Sequence, residues 1–273
     1  MSGGLPAAGR YGTAPLDRRA LPVCATRPAG RYTVITVEDP EGPPAAPGQF
    51  YMLALAGRWG GGADERPYLP RAISVMDSAD GRIDFMLDDV GPGTAELCHA
   101  RPGALMLALG PLGHGFRPPG SGRAVICAGG IGIAPMVALA GALGPATEIL
   151  LGFRDAPHAE AAALFPGARV ATDDGSTGAA GNAVELLRAS LEADADATVY
   201  ACGPPGMLEA VRAACAAASA PAQLALESGM ACGYGACYGC VVPAAEGGYR
   251  RLCVDGPVLD GSSLAEDWVA AYG

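Results

Sequence analysis

Along the first part of the chain, apolar and polar positions alternate in short bursts. Residues 21–37 alternate and end in the β-branched run Tyr32-Thr-Val-Ile-Thr-Val37, which predicts strands. A Pro- and Gly-rich stretch at 40–48 predicts a turn, Gln49-Phe-Tyr-Met-Leu-Ala-Leu55 a further strand, and residues 58–67 a polar, glycine-rich loop. Strands follow at 71–76, 82–87 and 105–109, with one short helix at 94–99 for which Thr94 is the expected N-cap. Many short strands parted by turns predict an antiparallel barrel.

After residue 121 the period changes. Strand-like runs at 123–127, 148–153, 168–172 and 197–201 alternate with helical ones at 135–143, 183–192 and 205–217. That order predicts a parallel sheet covered on both faces, with ligands at the carboxyl ends of its strands. Gly130, Gly132, Asp174 and Cys202 fall at such ends, and the glycines let a ligand approach the main chain. The loop is not the full dinucleotide fingerprint, because Pro135 stands where its third glycine would be. Cys202 has a plainer reading as a small buried hydrophobe. The expected fold class is β plus α/β. It divides into a disordered tail at 1–20, an antiparallel barrel at 21–118, a nucleotide-binding domain at 121–222 and a small cysteine-rich domain at 223–273.

A length of 273 residues suits about two domains with a small third, and a half-hydrophobic composition suffices for their cores. The net charge of −10 argues against nucleic acid and anionic membrane surfaces as partners. The most apolar stretch, 124–143, is broken by Gly129, Gly130, Gly132 and Pro135 and falls short of a membrane span. Residues 1–15 lack the apolar core of a secretory signal, and nine cysteines without an export signal fit a reducing cytoplasm. Three histidines and no Ser-His-Asp arrangement leave little for hydrolysis; His114 is expected in a structural turn.

The densest chemistry lies near the end. Cys232, Cys237, Cys240 and Cys253 follow the order C-x4-C-x2-C, then a gap of twelve residues and C, the spacing that wraps a 2Fe-2S cluster. Gly233, Gly235 and Gly239 allow tight turns that aim main-chain N–H groups at the sulfurs. Zinc and disulfides are the alternatives, although zinc prefers paired C-x2-C knuckles. On the barrel side, Arg71-Ala-Ile-Ser74 offers a guanidinium fork for a diphosphate, and Gly91-Pro-Gly93-Thr94 an anion site at a helix start. Each is also readable as a solvated arginine or an ordinary turn. The acidic pair Asp173-Asp174 favours NAD over NADP, since carboxylates repel a 2′-phosphate.

Together, Arg71-Ala-Ile-Ser74, Gly130-Ile-Gly-Ile-Ala-Pro135, Cys202-Gly-Pro204, Thr172-Asp-Asp-Gly-Ser176 and the cysteine segment through Cys253-Val-Asp-Gly resemble the ferredoxin–NADP reductase superfamily. Within it the chain is most similar to the electron-transfer subunits of NAD-dependent (class 1B) dihydroorotate dehydrogenases. That resemblance implies a role in pyrimidine (UMP) biosynthesis. Electrons would pass from FMN on a catalytic partner through a 2Fe-2S cluster and FAD to NAD, in a heterotetramer of two plus two chains. It assigns FAD to Arg71, Ala72, Ile73, Ser74, Met86, Leu87, Asp88, Gly93 and Thr94, NAD to the edge with Gly130, Gly132 and Cys202, and the cluster to Cys232, Cys237, Cys240 and Cys253. No residue for dihydroorotate chemistry is expected on this chain. Ala72 stands where the family usually has proline and Asp88 where it commonly has a basic residue, and the glycine-rich insertion before Arg71 is atypical. Asp88 is therefore expected to point away from the flavin, or the contacts there to differ. Two other readings remain: a flavin–iron–sulfur NAD(P)H reductase serving another acceptor, such as a hydrogenase or a glutamate synthase-like subunit, and a zinc-stabilised interaction module without enzymatic activity.

Overall fold

The computed structural model describes residues 18–59, 67–120 and 122–270. The expected tail lies outside them as far as residue 17, and so does most of the glycine-rich insertion, at 60–66. Arg19 and Ala20, assigned to the tail, instead open the first strand, β1 (Arg19–Ala29). The reason is electrostatic. The Arg19 guanidinium reaches both oxygens of the buried Asp39, at 3.2 and 2.6 Å, and the Gly110 carbonyl at 3.0 Å.

Strands β2 (Tyr32–Glu38), β3 (Phe50–Leu55), β4 (Arg71–Ala79), β5 (Arg82–Leu87) and β6 (Leu105–Leu112) complete a closed antiparallel barrel in the order β1-β2-β5-β4-β3-β6. Closure leaves no free sheet edge. Every residue of β3 is buried, because the strand is covered on both faces. Tyr51, Leu53 and Leu55 point into the barrel core, while Phe50 and Met52 face outward beneath Leu226, Cys240 and Val242 of the C-terminal region. Helix α1 (Pro92–Cys98) plugs the barrel between β5 and β6. It starts earlier than expected: Gly91 is the N-cap and Thr94 the third helical residue. Pro92 fixes the first turn with a backbone angle already suited to a helix. The Thr94 hydroxyl folds back, accepting from the N–H of Val90 and Gly91 at 3.0 and 3.1 Å.

The second unit alternates β7 (Arg123–Gly129), α2 (Met136–Leu143), β8 (Glu148–Phe153), α3 (Ala156–Ala159), β9 (Arg169–Thr172), β10 (Ala179–Ala180), α4 (Ala183–Ala193), β11 (Ala197–Cys202), α5 (Pro205–Ala218) and β12 (Ala222–Ala225). These strands are parallel in the order β10-β9-β8-β7-β11-β12. Sequence neighbours run outward from β7 in one direction and from β11 in the other, so the strand order reverses between them. There the main chain leaves β7 as a 3-10 turn, Gly130–Ile133, before α2 begins at Met136 rather than Pro135. Central β11 is buried throughout, with Val199 and Ala201 in the core on one face and Tyr200 and Cys202 on the other. Among the described residues no helix is long and apolar enough to cross a membrane.

The C-terminal region forms the hairpin of β13 (Val241–Pro243) and β14 (Tyr249–Arg251), then β15 (Val258–Asp260). β15 joins the large sheet antiparallel to β12, pairing Ala225 with Val258 and Gln223 with Asp260. That sheet therefore takes strands from both sides of the 222/223 division. Trp268, fully buried, donates its indole N–H to Glu209 on α5 at 2.7 Å and fastens the end of the chain to the same unit.

Candidate functional site

The predicted flavin residues converge. Arg71, Ala72, Ile73 and Ser74 of β4, Met86 and Leu87 at the end of β5, Asp88 just beyond it and Thr94 of α1 line one cleft of about 200 Å³. Gly93 lies directly under Arg71: a Cβ built there would come 2.3 Å from the guanidinium Nε. The guanidinium is steered from its other side too, donating from Nη1 to the Leu69 carbonyl at 2.6 Å and standing 5.9 Å from the Trp59 ring. Its remaining N–H groups suit an anion entering the cleft. Asp88 lines this cleft and the neighbouring one, near the buried Tyr32, whose phenol is raised by burial and then by Asp88.

On the nucleotide side, Gly130 and Gly132 form the floor of a cleft of about 230 Å³ with Arg154, His158 and Glu227 around it. Gly132 presses so tightly on β11 that a Cβ would sit 2.5 Å from the Cys202 carbonyl oxygen. Gly130 has φ +56, a backbone conformation that suits glycine, and only open space toward Tyr32. Cys202, expected at this edge, does not line the cleft; Gly203 and Pro204, which follow it, do. The Cys202 side chain is buried in the core beneath, and burial pushes its thiol well up. The His158 ring sits 2.5 Å from Asp155 through Nδ1, which holds that carboxyl below its usual range. A wider outer cleft of about 570 Å³ continues past Arg154 to Asp173, Asn182 and Arg188. Asp173 and Asp174 have parted roles: Asp173 lines this outer cleft, whereas Asp174 accepts from the N–H and hydroxyl of Ser176 at 3.0 and 2.6 Å.

A further cleft of about 360 Å³ opens from Ala72 and Ser74 toward Met230 of the cysteine loop. Glu227 borders this cleft, the flavin cleft and the nucleotide cleft together. Glu227 as a residue is exposed, yet the protein packed around its carboxyl raises it above the usual range. Sequence reasoning did not single out Glu227, nor Arg154, Tyr32 and His158. The signal for Glu227 was its place between the last apolar residues of β12 and the first cysteine of the loop; Arg154 directly follows the second parallel strand.

The four cysteines fall into two pairs. Cys232 and Cys237 are hydrogen-bonded neighbours on the loop, and Cys240 and Cys253 stand 3.3 Å apart, Sγ to Sγ, at the open end of the β13–β14 hairpin. The Leu252 N–H bonded to the Cys240 carbonyl at 2.9 Å extends the hairpin to these two. Main-chain N–H groups do aim at sulfur, from Gly239 to Cys237 and from Cys253 to Cys240, both at 3.4 Å. Burial works against a Cys232 thiolate, yet the N–H groups of Tyr234, Cys237 and Ala236 bring it down to about 6, while Cys253 is pushed up to about 12 by burial and its neighbour Cys240. Gly233, at φ +80, lets the loop touch the barrel: a Cβ there would lie 2.4 Å from Met52 Cγ. His114, as expected, is structural, with Nδ1 3.1 Å from the Asp255 carbonyl. All nine cysteines are free.

This arrangement fits the groups that the sequence implied. Two thiol pairs supply the four thiolates that a two-iron cluster takes, two per iron, although among the described residues no three metal-type side chains already stand close enough to hold a metal ion. The glycine-floored clefts fit a dinucleotide and a flavin. The Ser228 hydroxyl, buried beside the cleft near Met230, has no protein partner among the described residues, as a seat awaiting a polar ligand would leave it.

Comparison with known proteins agrees. The family model described as the iron-sulfur cluster binding domain of dihydroorotate dehydrogenase B matches residues 227–265. The dihydroorotate dehydrogenase B (NAD(+)) electron transfer subunit of Bacillus caldolyticus is 39% identical over 227 residues, covering 78% of this chain and 84% of its own. The subunit of that name from Clostridium acetobutylicum is 36% identical over 222 residues, covering 80% and 85%. Among solved structures, a chain of an electron-bifurcating NADH-dependent reduced ferredoxin-NADP oxidoreductase superposes with a TM-score of 0.77 at 23% identity, covering 93% of this chain and 92% of its own.

Proposed function

Because the chain belongs to the family of dihydroorotate dehydrogenase B (NAD(+)) electron transfer subunits, we propose that its connected clefts are the route by which electrons from a separate catalytic subunit reach NAD in pyrimidine biosynthesis. The observation that carries this reading is the position of Glu227, which borders the flavin cleft, the nucleotide cleft and the cleft leading to the cysteine loop. FAD exchanges electrons singly or in pairs, and a 2Fe-2S cluster exchanges them singly, so together they connect a one-electron path to a two-electron carrier.

The chain's own residues then have definite tasks. Arg71, held by Leu69 and seated on Gly93, presents its fork to the FAD diphosphate. Gly130, with open space beside it, lets a nicotinamide nucleotide lie against the main chain where the strand order reverses, and Gly132 lets that turn pack tightly on β11. The raised carboxyl of Glu227 keeps its proton to a higher pH than a free glutamate and can give or take it at its Oε atoms, in the cleft where electron pairs are exchanged. Cys232, Cys237, Cys240 and Cys253 hold the cluster, with Met52 and Leu112 of the barrel excluding water from Gly233 behind it. Cys237 is the exposed member of the four, flanked by the exposed Tyr234 and Tyr238, and this face meets the FMN-bearing catalytic subunit. The complex works in the cytoplasm with two copies of each chain.

The test is anaerobic NAD reduction by dihydroorotate with the complex purified through this chain. Activity in the complex, its absence in the isolated chain, and FAD and two irons per copy of this chain support the proposal. A coloured complex that oxidises NADH but ignores dihydroorotate sinks the pyrimidine assignment and leaves a reductase for another acceptor.

A further inference from the structure

Residues 226–231 connect β12 to the cysteine loop, and their side chains serve different neighbours. Leu226 is buried and its N–H is bonded to the Pro257 carbonyl at 2.9 Å. Glu227 stands at the meeting of three clefts, and Met230 borders the cleft that runs between Ser74 and the loop. Between them lies Ser228, which borders that same cleft. Its Oγ is shut off from solvent and, among the described residues, has no hydrogen-bond partner. A buried hydroxyl without a partner loses the bonds it would make to water and gains none in exchange. Such a group persists where a ligand completes it. Arg19, Tyr51, Arg123 and Thr147 also carry a buried polar atom without a hydrogen-bond partner among the described residues, but none of them lines these clefts, whereas Ser228 does.

We propose that Ser228 is a flavin ligand reaching across from the cluster-bearing segment, so that the flavin site and the cluster site stabilise each other. The argument rests on the reading above that FAD occupies the flavin cleft; Ser228 lines the adjoining cleft, which shares Ala72, Ser74 and Glu227 with it. The hydroxyl belongs to the stretch that ends at Cys232 only four residues later. A hydrogen bond from the flavin to Ser228 therefore fixes the main chain that presents the first thiolate. Linkage makes the effect reciprocal: whatever the flavin adds to the order of this segment, an assembled cluster adds to the retention of the flavin.

The experiment compares the wild-type chain, Ser228→Ala and Ser228→Thr, each reconstituted with FAD and iron. Three quantities are read: the FAD dissociation constant, the flavin midpoint potential, and the rate at which a chelator removes iron with and without FAD. For Ser228→Ala the FAD dissociation constant should rise about three- to tenfold, as loss of one neutral hydrogen bond gives. The potential should move, and FAD should no longer slow iron release as it does in the wild type. Thr, which keeps the hydroxyl, should restore all three. Unchanged affinity and potential in the Ala variant overturn the proposal, as does a Thr variant that loses flavin and iron together with Ala. A wild-type chain that fails to bind FAD refutes the underlying reading instead, and so the two failures are distinguishable.

Discussion

Glu227 and Arg71 are the side chains whose removal separates proton handling from cofactor binding. Glu227 is protonated to a higher pH than a free carboxyl because the surrounding protein desolvates it. A rate that needs its proton should therefore fall as pH rises through that raised value. Glu227→Gln should slow flavin reduction by NADH about a hundredfold, the scale of a lost general acid or base, and flatten its pH profile while leaving FAD and iron contents intact. Stopped-flow bleaching of the flavin absorbance between pH 5 and 9 measures both. Gly93 offers a test of Arg71 that leaves every charge in place. A methyl at Gly93 meets the Arg71 side chain at 2.3 Å and must displace it. Gly93→Ala should raise the FAD dissociation constant about tenfold or more, as loss of a charge-assisted hydrogen bond does, and Arg71→Ala should add little on top. Fluorescence titration of the FAD-free chain decides it. The sequence revealed the cysteines and Arg71 because their chemistry demands a fixed spacing or a fixed residue type. A single glutamate carries no such pattern. Glu227 is marked out only by the clefts that meet at it, whose walls come from residues far apart in the chain.

Strands were legible both where they alternate and where, like β3 and β11, they are short apolar runs buried throughout, and their ends were legible where glycine or proline marks them. The N-cap of α1 was misassigned because a threonine three residues into a helix can serve its first turn from inside, as Thr94 does. β15 was missed because three residues give no period to read. At the opposite end of the large sheet from the clefts, Glu148 of β8 joins β7, β9 and α4. Its carboxylate takes Arg123 Nη1 and the Ser190 hydroxyl at 2.5 Å each and Arg169 Nη1 at 3.0 Å. Burial disfavours the charged form, but these bonds more than offset it and the carboxyl is lowered. A lowered folded-state value means stability that is present above the unfolded value and lost as pH falls through the folded one. Glu148→Gln should cost about 1–2 kcal/mol at neutral pH, solvent screening included. The difference from wild type should shrink in acid, as urea melts at neutral and acidic pH would record.

At the scale of the whole molecule, the site belongs to no single unit. The barrel supplies Arg71 and Ser74, the parallel sheet supplies Gly130 and Arg154, and the C-terminal region supplies Glu227 and the cysteines. The C-terminal region is itself held at points that need no iron: β15 on β12, Trp268 on Glu209, and His114 on Asp255. Removing iron by chelation should therefore raise amide exchange across residues 230–254 while residues 258–268 stay protected. Exchange measured by mass spectrometry tests this, and uniform loss of protection through residue 268 would contradict it. The overall order of barrel, sheet and cysteine loop was legible because each has its own period or spacing. How they lean on one another was not, since Met52 against Gly233 or Ala225 beside Val258 joins positions that no local pattern relates. That last pairing has a consequence for design. Ala225 and Val258 are neighbours across a ladder, so everything from 226 to 257 is topologically one oversized hairpin loop. A short turn in its place would keep the sheet ladder but uncover Phe50 and Met52 of the barrel, which pack beneath Leu226, Cys240 and Val242. The iron-binding part is thus an insertion in topology but not in packing, and an engineer who exchanges it must bring an apolar face to match Phe50 and Met52.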